Sequence, residues 1–323
     1  MAQDMEFNEE EYLAANPDVA VAILAGHFID GYSHYKKFGK NEGRMLKKLF
    51  GLTPRERAVF HLINKKGLGL EVGPSHNPIA PKKAGYNVHI LDHASADELR
   101  AKYQGHNVNL DNIEEVDYVW RGQPLQELIG DEAIYDWIIA SHVIEHVPDF
   151  VSYIQQCEKL LTKNGVLSLV IPDKRYCFDY FSPATFTGEI LDAYLQKRTR
   201  PTSGQVFNHI ANASKKNDSI AWGASDKGGA TQLVHEFSEA SNEWHRSLLS
   251  DDYIDVHCWR FTPASFRLII SDLANLNLTN LEIKAEFDTN GCEFYVTLGH
   301  RSESITKRLN SRFDSLRAVK DEY

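Results

Sequence analysis

Two acids and one glycine stand at spacings that suit a nucleoside. Glu71 closes the apolar run LGLEV (68–72) and Gly73 opens GPSHNP, so backbone at Gly73 can pass close to a ligand where a strand gives way to the next segment. Pro74 has no N–H, and Ser75 and Asn77 occupy places where further glycines would build a pyrophosphate cradle. A ligand without phosphates fits better. Asp92 ends a second run, NVHIL (87–91), about 20 residues beyond the glycine turn, where a carboxylate can accept bonds from both ribose hydroxyls. Carboxylates at two such strand ends suit a nucleoside carrying a cationic group. The alternative is that they cap the helices that follow.

Histidines supply the second set of candidates, because an imidazole exchanges protons near neutral pH. His142 and His146 lie in SHVIEH, His235 in LVHEF and His257 in DVHCW. His146 with Glu145 reads as an orienting cap for the next helix. Alternation places Asp255 and His257 on one side of an extended segment, where the acid would orient the imidazole; a packed, satisfied histidine is the competing reading. The run IPDKRYCFDYF carries Asp173, Lys174, Arg175 and Tyr176 away from an apolar strand. Lys174 and Arg175 could hold a phosphate or carboxylate, or form a surface ion pair. No HExxH, paired histidines at metal spacing or Cys/His cluster stands out, so no metal is expected. No GxSxG elbow is present either.

These residues need a rigid sheet to hold them. LGLEV, NVHIL, YDWIIAS (135–141) and GVLSLVI (165–171) are short apolar runs bounded by turn residues and read as strands. Phe150, Ile154, Cys157 and Leu161 fall on one helical face between the last two, so strands alternate with helices as in a buried parallel sheet. Phe266, Ile269, Ile270 and Leu273 again follow helical spacing, and LEIKAEF (281–287) and CEFYVTLG (292–299) flank the turn-prone DTNG. The expected fold is α/β: a doubly wound, mostly parallel seven-stranded sheet with an antiparallel terminal hairpin. An amphipathic helix capped by Thr53 and Pro54 and running through HLINKKG leads into it. The stretch from about 174 to 255 is too long for an ordinary connection. It is expected to carry two or three helices and no clean strand, as an acceptor-binding lid. Residues 1–50 read as a separate small helical unit broken at Asn16-Pro17 and Gly26, with residues 51–323 as the main domain.

LEVGPSHNP, ILDH, YDWIIASHVIEHVPD and LLTKNGVLSLVIPD, in that order, resemble the successive motifs of class I S-adenosylmethionine-dependent methyltransferases. The resemblance covers about Leu68 to Asp173 and departs from the family's GxGxG loop, of which only Gly73 survives. It implies a Rossmann-like fold and S-adenosyl-L-methionine as cofactor, with Glu71, Gly73, Pro74 and Ser75 bordering its methionine part. It further implies that Asp92 holds the ribose, Ser141 and His142 line the donor and face the acceptor, and Asp117 with Trp120 meets the adenine. Methyl transfer from a sulfonium is an in-line displacement that mainly requires alignment and exclusion of water. For a hydroxyl acceptor a base is needed, with His257, Asp255 and His142 the candidates, and Asp173, Lys174, Arg175, Tyr176 and His235 would bind the acceptor.

The N-terminal EYLAANPDVA and GHFIDGYSHYKKFGKNEGR resemble a short module (YLxxNPDVA) that accompanies enzymes of bacterial surface polysaccharide assembly. That resemblance speaks to context, not chemistry: residues 1–50 are either a solvated helical cap or a docking device for a polysaccharide-assembly enzyme, and the expected acceptor is a hydroxyl of a sugar or lipid-linked glycan. Two other readings share the fold: a non-catalytic cofactor-binding partner of such a complex, and a nicotinamide-dependent sugar oxidoreductase, disfavoured by Pro74 and the missing GxGxxG.

Composition narrows the partners. The 323-residue chain carries 45 acidic against 35 basic side chains, a formal charge of −10 that opposes binding to nucleic acid or an anionic membrane surface. The N-terminus MAQDMEFNEEEYL opens acidic where a signal peptide would be basic, and no apolar run is long enough for stable membrane insertion, so a cytoplasmic location is expected. Four cysteines without CxxC spacing read as reduced, mostly buried thiols.

Overall fold

A computed structural model describes residues 7, 9, 12, 13, 16–39, 53–226, 228–301 and 311–322. The chain divides into two compact units, Met1–Arg57 and Ala58–Tyr323. In the first, α1 (Pro17–Leu24) and α2 (Gly31–His34) surround Tyr12, which is fully buried. The Tyr12 hydroxyl lies 2.9 Å from His34 Nδ1, and the Glu9 carboxylate accepts the N–H of Gly31. The Asn-Pro and Gly signals therefore do mark helix ends here. The basic stretch 40–50 lies outside the described residues.

The larger unit is built on seven strands: β1 (Gly69–Val72), β2 (Val88–Asp92), β3 (Tyr118–Val119), β4 (Tyr135–Ser141), β5 (Leu161–Pro172), β8 (Leu281–Asn290) and β9 (Glu293–His300). A separate two-stranded ribbon pairs β6 (Ser214–Lys216) with β7 (Thr231–Leu233). The order is β3-β2-β1-β4-β5-β9-β8, with β9 antiparallel to both neighbours and the first five strands parallel. The chain winds outward from β1 to β3, then crosses back to β4. This reversal opens a crevice at the carboxyl ends of β1 and β4, the usual ligand position in such sheets.

The apolar runs become strands because both faces are covered. Trp137, Ile138 and Ile139 of β4 and Leu167, Leu169 and Val170 of β5 are fully buried, as parallel strands under two helical layers must be. After α3 (Pro54–Val59), the helices of this unit are α4 (Ala96–Tyr103), α5 (Leu125–Ile129), α6 (Phe150–Leu160), α7 (Thr187–Leu195), α8 (Ser203–Asn212), α9 (Phe237–Leu249), α10 (Pro263–Asn275) and α11 (Ser311–Asp321). The apolar stripe of α6 buries Phe150, Ile154 and Cys157, while Asp149 caps its start by accepting Ser152 N–H.

Three expectations need correction. The helix beginning at Thr53 stops at Val59 instead of continuing through HLINKKG; Phe60 packs flat on Tyr86 there, and Val59's carbonyl accepts the Ser168 hydroxyl. The 174–255 insertion contains three helices but also the β6–β7 ribbon. Leu161, placed on the helical face, already begins β5. No helix among the described residues is long and apolar enough to cross a membrane.

Candidate active site

Gly73 leaves β1 at φ +65°, a left-handed conformation that glycine adopts freely, and its N–H bonds to the Leu91 carbonyl at 2.7 Å. A side chain there would press on Val143 at 3.0 Å, so the turn passes tightly under the loop after β4. Pro74 follows, and Ser75 sits at φ +52°, an uncommon conformation for a residue with a side chain. It is held by a 2.8 Å hydrogen bond from its N–H to Asp92 Oδ2. Asp92 also accepts the His93 N–H at 2.8 Å and is 1% exposed. Glu71, Gly73, Ser75 and Asp92 therefore share one rim, next to Ser141 and His142 at the end of β4.

The two acids differ in how they are used. Glu71 closes on its own loop, accepting the backbone N–H groups of Ile79 and Ala80 at 2.6 and 2.9 Å, so it shapes the turn before it meets any ligand. Beside Asp92, the Ser75 hydroxyl and His76 Nδ1 are buried without a hydrogen-bond partner. Buried polar atoms of this kind call for a missing partner. Asp117 is turned to the sheet: its Oδ2 takes the Ile90 N–H and Lys82 Nζ, both at 2.6 Å. Trp120 donates its indole N–H to Gln123 and packs toward Tyr153. Asp117 is thus engaged through one carboxylate oxygen and Trp120 through its indole N–H.

The loop after β4 carries a dense set of ionisable groups. His142 is at φ +53°, with Nε2 2.8 Å from Glu293 Oε2 of β9. Glu145 is fully buried. Its backbone carbonyl accepts the N–H groups of Cys258 and Trp259, and Trp259's indole N–H bonds to the Val147 carbonyl at 2.6 Å. These bonds draw the segment before α10 onto the β4 loop and bring the rings of His146 and His257 to 4.6 Å, nearly perpendicular.

The expected pairing of Asp255 with His257 is incorrect. Asp255 stands at His146, 2.8 Å from its Nδ1, whereas His257 Nδ1 lies 2.5 Å from Asp179 Oδ2. Alternation predicted the wrong partner because the segment leading to His257 is not a strand, and Asp179 arrives from the loop after β5. Arg260 also reaches Asp179, at 3.2 Å. Burial pushes the Asp179 carboxyl up, but His257 and Arg260 outweigh it and hold it down at about 2. Asp255 is likewise lowered to about 2, chiefly by His146. His146 is raised, since Asp255 and Glu145 overcome the opposing effect of burial. His209 behind His257 is pushed down to about 3 by burial and by that neighbour.

The run after β5 is tied back into the fold. Asp173 is fully buried, and its carboxylate accepts a fork from Arg175 together with the Thr289 hydroxyl at 2.6 Å. Lys174 is buried and donates to the Tyr180 carbonyl at 3.2 Å. Neither cation is held out toward a phosphate; both brace the start of the insertion. Tyr176 lies under the Arg175 guanidinium, 5.3 Å away, and its carbonyl accepts Trp222 N–H. An open hollow of about 570 Å³ between residues 221–226 and 289–292 adjoins this brace. His235 precedes α9 and stands 3.6 Å from Glu239, outside the cluster just described. The residues missed from sequence are Asp179, His209, Arg260 and Glu293. Only Asp179 and Glu293 lie in quoted runs, IPDKRYCFDYF and CEFYVTLG, and no local spacing ties Asp179 to His257 or Glu293 to His142.

A family model described as a methyltransferase domain matches residues 45–280. No curated protein matches the chain. Solved structures are similar to it at a low level. The CcbJ methyltransferase from Streptomyces caelestis is 14% identical over 76% of this chain and 94% of its own, with a TM-score of 0.36. The DhpI–SAH complex is 13% identical over 91% and 98%, with a TM-score of 0.37. A Rhodobacter sphaeroides protein described as a Zn-dependent alcohol dehydrogenase is 12% identical over 78% and 92%, at 0.40.

Proposed function

The chain belongs to the methyltransferase domain family, and from that premise we propose that it transfers a methyl group from S-adenosyl-L-methionine to a hydroxyl of a sugar or lipid-linked glycan. Family membership sets aside the nicotinamide-dependent reading. The observation that carries the donor assignment is the rim at β1 and β2: a buried Asp92 flanked by the unpartnered Ser75 hydroxyl and His76 Nδ1, under a Gly73 turn that lets a ligand approach backbone. Asp92 Oδ2 accepts the Ser75 N–H and keeps a lone pair for a ribose hydroxyl, while Oδ1 faces the His93 N–H and His93 Nδ1, the latter at 2.6 Å. When bound, the cofactor supplies the electrophilic methyl; the chain orients the two reactants and excludes water.

The acceptor hydroxyl is inferred from the acid–base groups beside that rim. His146 and His257, each with a carboxylate at Nδ1, keep their Nε2 atoms for a proton or ligand. The N-terminal unit is read as a docking module for an assembly enzyme.

Calorimetry or thermal shift with S-adenosylmethionine and its demethylated product tests the donor. Wild-type chain is expected to bind both, and Asp92→Ala to lose at least about tenfold in affinity, as expected for removal of a charged hydrogen-bond acceptor. No heat and no melting shift with either ligand refutes the assignment. Labelled methyl from the cofactor, followed into a cell extract, reads the acceptor class; label in protein or nucleic acid would overturn the glycan reading.

A further inference from the structure

The geometry points to a divalent transition-metal site formed by Glu145, His146 and His257, with open coordination positions toward the acceptor side of the donor rim. Each residue offers one ligand atom, and the three atoms lie within 4.8 Å of one another. His146 Nε2 and His257 Nε2 are each 4.0 Å from Glu145 Oε1. Ligands about 2.1 Å from a tetrahedral ion sit about 3.4 Å apart, so each Glu145–histidine separation must close by roughly half an ångström, and the widest separation by up to about 1.4 Å, to seat one.

Independent of that clustering, both carboxylate oxygens of Glu145 are buried and have no hydrogen-bond partner among the described residues, although the residue is fully shielded from solvent. A carboxylate in that state needs either a proton or a cation. Among the described residues no cationic side chain stands at bonding distance: the ionisable nitrogens around it are imidazoles at 3.6 to 4.0 Å, His142 among them.

The outer groups fit the same role. Asp179 is hydrogen-bonded at Nδ1 of His257, and Asp255 stands 2.8 Å from Nδ1 of His146 as an ion pair without hydrogen-bond geometry. Metal-bound histidines characteristically present the second ring nitrogen to a carboxylate, which fixes the tautomer with its other nitrogen free to ligate. Two histidines and one carboxylate suit zinc, cobalt, manganese or ferrous iron better than magnesium or calcium, which prefer all-oxygen sets. His146 and His142 are about a third exposed, at 30% and 38%, so the site opens on their side, next to the rim that receives the donor. An acceptor hydroxyl or vicinal diol would enter there. The ligands come from two distant segments, which is why no metal spacing is visible in the sequence.

Metal binding does not depend on the methyl-donor reading, and the test separates them. Untagged full-length protein is stripped with a chelator and titrated with Co²⁺ alone, read by visible absorption and by thermal shift, with Zn²⁺ as competitor. One equivalent is expected to bind, with d–d bands and a raised melting temperature. Glu145→Gln is expected to fold without metal at least as well as wild type, because the amide removes a buried unpaired charge, yet to lose at least tenfold in Co²⁺ affinity. His257→Asn is expected to lose a similar amount. Absence of a stoichiometric Co²⁺ site in wild type, or equal binding by Glu145→Gln, overturns the proposal. The melting shift with S-adenosylmethionine, measured on the same samples, reports on the donor site separately.

Discussion

Asp179 is the residue on which the buried charges converge. It is 3% exposed and faces His257 and Arg260, the latter 7% exposed with one guanidinium nitrogen already unpartnered. Removing its charge strands a buried cation, which typically costs about 3–5 kcal/mol. Asp179→Asn is therefore expected to destabilise the fold by that amount in urea unfolding, and a loss under about 1 kcal/mol would mean that Arg260 finds another partner. Asp255→Asn, at a residue whose side chain is 71% exposed, should cost far less. This asymmetry also marks the limit of sequence reading at this scale. DVHCW was enough to single out His257, but its acid lies 78 residues away, beyond the reach of any alternation rule. Glu71 and Asp92 were legible because strand ends with acids are a local pattern; that Glu71 would turn onto Ile79 and Ala80 was not.

Elements were legible in proportion to their apolar continuity. β4 and β5 are long buried runs, and α6 and α10 keep their stripes, so each was visible as a pattern. β3 is two residues, and β6 and β7 are three each with mostly polar side chains; they exist through pairing, not propensity. The helix overextended past Val59 shows the converse error, since Leu62 and Ile63 kept helical spacing after tertiary contacts had ended the helix. The β8–β9 turn permits a clean measurement. Asn290 pairs with Glu293, leaving Gly291 and Cys292 as the two-residue loop, with Gly291 at φ +64° and no atom within 4 Å of where a Cβ would lie. Gly291→Ala is expected to destabilise by about 1–2 kcal/mol through backbone conformation alone. Chemical denaturation reads this directly, and no change would mean the turn relaxes into another conformation.

At the scale of the whole molecule, a doubly wound parallel sheet ending in an antiparallel hairpin was readable from alternating strands and helices, whereas its strand order and the docking of α11 were not anticipated. Val319 of that helix buries against Ala264 and Leu268, and Glu322 accepts the Ala264 N–H at the start of α10. Global stability should carry the signature of the core at alkaline pH. Cys157 is fully buried in the main core, and burial, only partly offset by Tyr153, pushes its thiol from 9.0 up to about 12. A folded value raised above the unfolded one means that this contribution is intact below about pH 9 and is lost as pH climbs toward 12, because the unfolded chain ionises first. Wild type is expected to lose stability relative to Cys157→Ala by up to about 1.4 kcal/mol per unit in that window, and parallel pH curves would show that the thiol does not titrate differentially. The reversed direction of β9 has its own consequence. Running against its neighbours, it delivers its first residue, Glu293, to the same rim where the parallel strands finish, beside His142. A one-residue slip of that ribbon would put Phe294 in its place, so the tip of the hairpin acts as a length gauge for an imidazole on another strand, and loop insertions there should be read as changes to the reaction chamber.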